Sequence, residues 1–223
     1  KKNHFLHRLN ISIIGQSMEK TIIKNKPAVA NEGISTTATL LNKGTNNYFQ
    51  DLTIQNALDY YNAGSAGRAV TLQDKGTKTI CKNVKLMSYQ DTYYSNNASG
   101  QFYFEGCDIH GTVDFICGGG DVFFNVCTLT VEKRNSDGSG SCVIAAPYTQ
   151  STWGYVFNNC TIANNAASYS LARAWGGTPR TAYINTTLSA PSKMISTRFT
   201  AAGMNVLLDK FVEYNSKHTS GTT

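Results

Sequence analysis

Apolar and polar residues alternate with a period of two in a series of short segments that share one design. An aromatic or apolar pair is followed by a polar residue, a small residue and a β-former. The design reads Tyr48-Phe49-Gln50-Asp51-Leu52-Thr53-Ile54 and returns at residues 80–86, 103–109, 123–129 and 156–162, with a weaker copy at 182–188. Period-two alternation predicts strands rather than helices. The last residues of the copies, Ile54, Leu86, Ile109, Leu129, Ile162 and Leu188, are 32, 23, 20, 33 and 26 residues apart. Such unequal spacing around a constant motif predicts stacked coils of a solenoid with loops of variable length. Short strands at this spacing also suit a sandwich. The shared motif favours coils, since each turn then places the same side chain at the same interior position.

The thiols follow the same register. Cys107, Cys127 and Cys160 each stand two residues before the end of their copy, which predicts an interior column of small buried side chains about 4.8 Å apart along the axis. Cross-linking neighbours in such a column would strain the ladder, so the expectation is free thiols. The strand-like run 9–15 begins almost at the start, and a solenoid needs capped ends, so an N-terminal cap or first coil is expected to be missing. The first residues, Lys1-Lys2-Asn3-His4, carry no initiator Met and no apolar signal core, so the chain reads as a processed or cut fragment.

Composition narrows the class. The 223 residues are 41% hydrophobic and 15% charged, which suits one domain, 1–223, with a sizeable core, and argues against disorder. No apolar run is long enough for a membrane span. The formal charge of +6 comes from scattered Lys and Arg and would attract a polyanion. No helix-turn-helix, zinc-knuckle or RNA-binding signature is present, so nucleic acid has no support beyond charge, whereas an acidic polysaccharide fits. The six cysteines form no CxxC pair and the four histidines lie far apart. Neither a metal site nor a cofactor is expected, and the histidines read as surface or loop residues.

The register also orders the carboxylates. Asp91 lies five residues after Leu86, and Asp114 five after Ile109. Equal offsets put the two on consecutive rungs of one sheet, with Cα atoms about 5 Å apart. Two carboxylates that close do not both ionise freely, so one is raised into a neutral acid while its partner stays anionic. Asp114 lies among apolar neighbours, Val113, Phe115 and Ile116, and a buried charge needs a partner. Aligning the second strand of each coil places Asp114, Ala145 and Arg173 in one row, with Arg173 roughly 10 Å from Asp114 along the axis and small residues between them. Arg173 is the expected partner, and Trp175, two positions on, faces the same way as a platform for a sugar.

At these residues the chain resembles the pectin methylesterases. Gly111-Thr112-Val113-Asp114-Phe115-Ile116-Cys117-Gly118 is similar to the family's G-x-V-D-F-I-F-G, Gln90-Asp91-Thr92-Tyr93-Tyr94 to Q-D-T-L-Y, and Leu171-Ala172-Arg173-Ala174-Trp175 to L-G-R-P-W; the stretches 101–103 and 211–215 also match. The likeness runs in order from about Ile11 to Asn215. It implies an all-β, right-handed parallel β-helix that demethylates pectin without metal or other cofactor. It further implies Asp114 as nucleophile, Asp91 as acid and then base, Gln90 as an oxyanion donor and Arg173 as the group orienting Asp114. Trp175, Tyr94, Val113, Arg68 and Cys117 would line the substrate. The partner implied is pectin, the oligomeric state monomeric, and the location secreted or periplasmic.

Several positions depart from the family pattern. Arg68 stands where the family's second oxyanion Gln precedes the A-V-x-L strand, here Ala69-Val70-Thr71-Leu72. Cys117 replaces a Phe and thins a substrate-facing wall, two positions of L-G-R-P-W are Ala, and the later Gly-Trp is Gly203-Met204. The competing readings are another polysaccharide-active β-helix, a glycoside hydrolase or lyase, since carboxylates about 5 Å apart suit a retaining glycosidase, and a non-catalytic glycan-binding β-helix.

Overall fold

The computed structural model describes residues 4–27, 33–64, 67–148, 152–189, 192–193 and 210–219. Every strand pairing is parallel, and successive coils stack into a right-handed β-helix. The right hand is the one that parallel strands joined by crossovers adopt. The repeat fixes the register: Ile54 pairs with Leu86, Leu86 with Ile109, Ile109 with Leu129, Leu129 with Ile162, and Ile162 with Leu188. All six are fully buried.

The polar or small residue in the middle of each copy makes a corner. Asp51, Asn83, Gly106, Val126, Asn159 and Asn185 all adopt positive φ, between 49° and 59°. Gly, Asn and Asp tolerate this left-handed conformation best, and it turns the strand so that both of its arms face the interior. Five residues before the anchor stands an aromatic ring in five of the six copies, with Cys81 in its place in the second. Phe104 and Phe124 stack at 5.0 Å, Phe124 and Phe157 at 4.7 Å, and Phe157 and Tyr183 at 4.4 Å. Each such pair adds about 0.5–1.5 kcal/mol beyond the area it buries. Cys107, Cys127 and Cys160 occupy the predicted interior column, buried and not cross-linked to one another. His110 departs from the loop expectation: it sits on the strand Asp108–Gly111, between Asp108 and Glu132.

A second sheet closes the coil. Its described strands run in the order His4–Leu6, Leu40–Asn42, Leu72–Asp74, Tyr93–Ser95, Val113–Gly118, Ser141–Pro147, Ser168–Ala172 and Ser192–Lys193. The carboxylate pair lies at the leading edge of this sheet.

Candidate active site

Asp91 just precedes the strand Tyr93–Ser95, and Asp114 is the second residue of Val113–Gly118. Tyr93 pairs with Ile116, and the Asp91 N–H donates to the Val113 carbonyl at 3.1 Å. The two aspartates therefore share one offset on adjacent rungs, as the spacing predicts. Both have positive φ, 59° and 52°, so the same backbone turn aims both carboxylates. Both residues are buried, with exposures of 5% and 7%.

Their environments differ. Arg173 donates from Nε to Asp114 Oδ1 at 2.7 Å and from Nη2 to Asp114 Oδ2, a two-pronged grip that compensates the Asp114 charge. On Asp91, burial and then the Asp114 charge raise the carboxyl to about 8, against the opposing pull of Arg68 and Arg173. Asp91 is thus held as a neutral acid in the neutral pH range, beside the carboxyl group that Arg173 grips.

The row expected to join Asp114, Ala145 and Arg173 needs correcting. A register shift between Val113 and Ile116 displaces it, so that Ile116 pairs with Ala145 and Ala145 with Ala172. Arg173 follows, its N–H donating to the Ala145 carbonyl at 2.9 Å. The guanidinium accordingly reaches back along the strand as well as across rungs, past the small buried Ala145 and Ala146.

Gln90 is half-buried and forms an isolated bridge with Arg68, whose side chain is exposed. Ala69 N–H donates to the Gln90 carbonyl at 3.0 Å. Arg68, Gln90 and half-buried Val113 thus flank the aspartates on consecutive coils. Cys117 does not form the expected wall. It is 1% exposed, its Sγ lies 3.6 Å from the Tyr93 carbonyl, and it has no surface to offer a sugar. Gly203 and Met204 lie outside the described residues.

Aromatic side chains stand on both sides of the pair. Beyond it, Trp175 meets Tyr94 edge-on at 5.9 Å and Tyr148 at 5.3 Å, and the three line a recess of about 410 Å³. Tyr148 was not singled out by sequence. The row drawn through Ala145 and Arg173 sets it against Gly176, and only the observed Ala145–Ala172 pairing, continued by three residues, brings it level with Trp175. On the other side Tyr60 stacks on Tyr89 at 4.6 Å, and Tyr61 meets both edge-on. Arg134 Nη1 donates to the Tyr60 hydroxyl. This cluster comes partly from the inserted turn Tyr60–Asn62, which no repeat marks.

The profile of the family described as Pectinesterase matches residues 5–205. Probable pectinesterase 49 of Arabidopsis thaliana is 30% identical over 183 residues, 81% of this chain and 49% of the relative. Pectinesterase 2 of Citrus sinensis is 32% identical over 193 residues, 81% of this chain and 36% of that one. The chain thus spans about half or less of the length of these curated relatives. Among solved structures, pectin methylesterase PemA from Erwinia chrysanthemi superposes with a TM-score of 0.81 at 25% identity, covering 99% of this chain and 80% of that one. A pectin methylesterase in complex with a hexasaccharide gives the same TM-score, identity and coverage.

Proposed function

Since the chain belongs to the pectinesterase family, we propose that it hydrolyses the methyl esters of galacturonate units in pectin, with Asp114 as nucleophile and Asp91 as acid and base. The observation that carries this is the asymmetric pair: two buried carboxylates on adjacent rungs, of which only Asp114 is gripped by Arg173. In the first step the Asp114 carboxylate attacks the ester carbonyl. Gln90, beside the pair, donates to the oxyanion that develops. As the carbonyl re-forms, the C–OCH₃ bond breaks and Asp91 gives its proton to the departing methoxide. Methanol leaves, and an acyl anhydride on Asp114 remains. Asp91, now a carboxylate, takes a proton from water, whose oxygen attacks the anhydride. The galacturonic acid formed loses its proton to solvent and leaves as galacturonate, and Asp114 anionic and Asp91 protonated are restored. Arg173 holds Asp114 in line through both steps. Tyr94, Tyr148 and Trp175 supply apolar faces for neighbouring sugars.

The partner is an acidic polysaccharide acted on by a monomer outside the cytoplasm. The family likeness supports that location, and no helix among the described residues is long and apolar enough to cross a membrane. Asp114→Asn tests the nucleophile. Methanol release from highly methylated pectin is expected to fall at least a thousandfold while the thermal melt keeps its cooperative shape. Activity within a few-fold of wild type would remove Asp114 from the role. New reducing ends in place of methanol would replace the esterase with a glycosidase.

A further inference from the structure

A second surface lies on the outer face of the other sheet, away from the aspartates. Ile80, Tyr103, Phe123, Val156, Ala182 and Val212 are successive ladder partners, one per coil. Val122 and Phe124 are buried while Phe123 between them is exposed, so this row points outward. Tyr103 and Phe123 lie parallel, 6.0 Å apart. Beside the row stands Trp153, 71% exposed. Its backbone is fixed: the N–H groups of Trp153 and Gly154 both donate to Asp121 Oδ1 at 2.8 Å. Gly154 has φ of 73°, and a Cβ there would meet the Arg180 carbonyl oxygen at 2.2 Å.

Two recesses adjoin at this tryptophan. One, of about 570 Å³, is lined by Phe123, Val156 and Trp153. The other, of about 360 Å³, is lined by Trp153, Arg180 and Lys210. Arg180 Nε is buried without a hydrogen-bond partner, and neither cation has an ion-pair partner among the described residues. Asp121, the one carboxylate lining either recess among the described residues, already accepts the two backbone N–H groups. An exposed aromatic face beside uncompensated cations suits a ring with one apolar face and a carboxylate. A strand of such rings laid along the axis would meet one ladder position roughly every 4.8 Å, about the length of a sugar unit.

We propose that this trough is a second binding surface for an acidic polysaccharide. Trp153 stacks on a uronate ring, and Arg180 and Lys210 receive its free carboxylate. That its polymer is de-esterified pectin rests on the function proposed above. A surface that needs free carboxylates would hold the protein to stretches already demethylated.

The test is retardation of the full chain in native gels containing fully de-esterified polygalacturonate, with neutral dextran and polyglutamate gels as controls. Trp153→Ala is expected to weaken binding to polygalacturonate at least fivefold and to leave binding to polyglutamate unchanged. Lys210→Gln is expected to weaken both. Methanol release from a short esterified oligosaccharide should stay at the wild-type rate in Trp153→Ala. Wild-type retardation by polygalacturonate in both variants overturns the proposal. So does an equal effect of Trp153→Ala in the dextran gel, or sedimentation showing a wild-type dimer that Trp153→Ala dissociates, which would make a second copy the occupant. If no form of the protein releases methanol yet the gel difference persists, the esterase reading falls and this surface stands.

Discussion

Asp91 and Asp114 share a backbone conformation, a depth of burial and an offset within their coils, yet only one of them is held by Arg173. That single contact divides the labour of the pair. The pH range comes from the other member: burial, and then the neighbouring Asp114, raise the Asp91 carboxyl to about 8. In the proposed mechanism, Asp91 holds below that pH the proton that methanol needs. Above it the proton is lost, so kcat/KM should decline on the alkaline side of about 8. Arg68 adds a charge that favours ionised Asp91. Arg68→Gln removes that pull and should move the alkaline limb of kcat/KM upward, by a few tenths of a unit to about one unit for an exposed cation. A neutral amide would also offer a donor to the oxyanion, so a higher kcat would mark Arg68 as a defect relative to the family pattern. A lower one would mark it as adapted to a neighbouring free carboxylate. A limb and a kcat that both stay in place would put Arg68 outside the site. The aspartates were legible in sequence because equal offsets mean equal places on adjacent rungs. Arg173 was legible as the partner of Asp114 but not in its register, since the shift between Val113 and Ile116 leaves no mark in the period-two pattern. Cys117 was placed on the substrate wall by its match to a family motif, and a motif match does not say how deeply the side chain is covered: it is 1% exposed.

The element that organises the fold is the left-handed corner, and five of its six coils from residue 48 to 188 use Asp, Asn or Gly there. Asn83 Nδ2 donates to Asp51 Oδ1 at 3.1 Å across neighbouring coils, so the corner also carries a small amide ladder. Val126 breaks the pattern. It holds φ of 54° with a branched side chain that is 58% exposed. It therefore bears the steric cost of the left-handed region, about 1–2 kcal/mol, with little burial in return. Val126→Asn should relieve most of that cost and set an amide beside Asn159, its neighbour in the corner column. The expected gain is about 1 kcal/mol, or about 2–4 °C in Tm for a domain of this size, read from thermal melts. A Tm that falls or stays level would show that the valine side chain contributes contacts the corner needs. The repeat explains why so much of the architecture could be read in advance. Each copy names its interior residue and its anchor, and stacking follows from their agreement, whereas the corner itself shows only in the backbone. The inserted turn Tyr60–Asn62 belongs to no copy, so its aromatic cluster beside Gln90 had no signal to announce it.

For the molecule as a whole, the repeat settles which side chains face inward but not which outward rows stay uncovered, so the Phe123 and Trp153 surface could be seen only in three dimensions. Charge acts at this scale too. The net charge is +6, and Arg68 and Arg134 stand on the same side of the carboxylate pair. The field of such a molecule draws a polyanion from a distance and raises the encounter rate. Salt shortens its reach to about 10 Å at 0.1 M and about 8 Å at 0.15 M, so capture should weaken as ionic strength rises. The polymer supplies an internal control. A fully esterified galacturonan is neutral, whereas a sparsely esterified one carries a free carboxylate on most units. Between about 10 mM and 150 mM ionic strength, kcat/KM on the sparsely esterified polymer should fall several-fold, and on the fully esterified polymer it should hardly change. The kcat values should stay level in both cases, because the chemical step lies within a buried pair that salt screens little. Equal salt responses on the two polymers would confine the +6 to solubility and leave substrate selection to the groove itself.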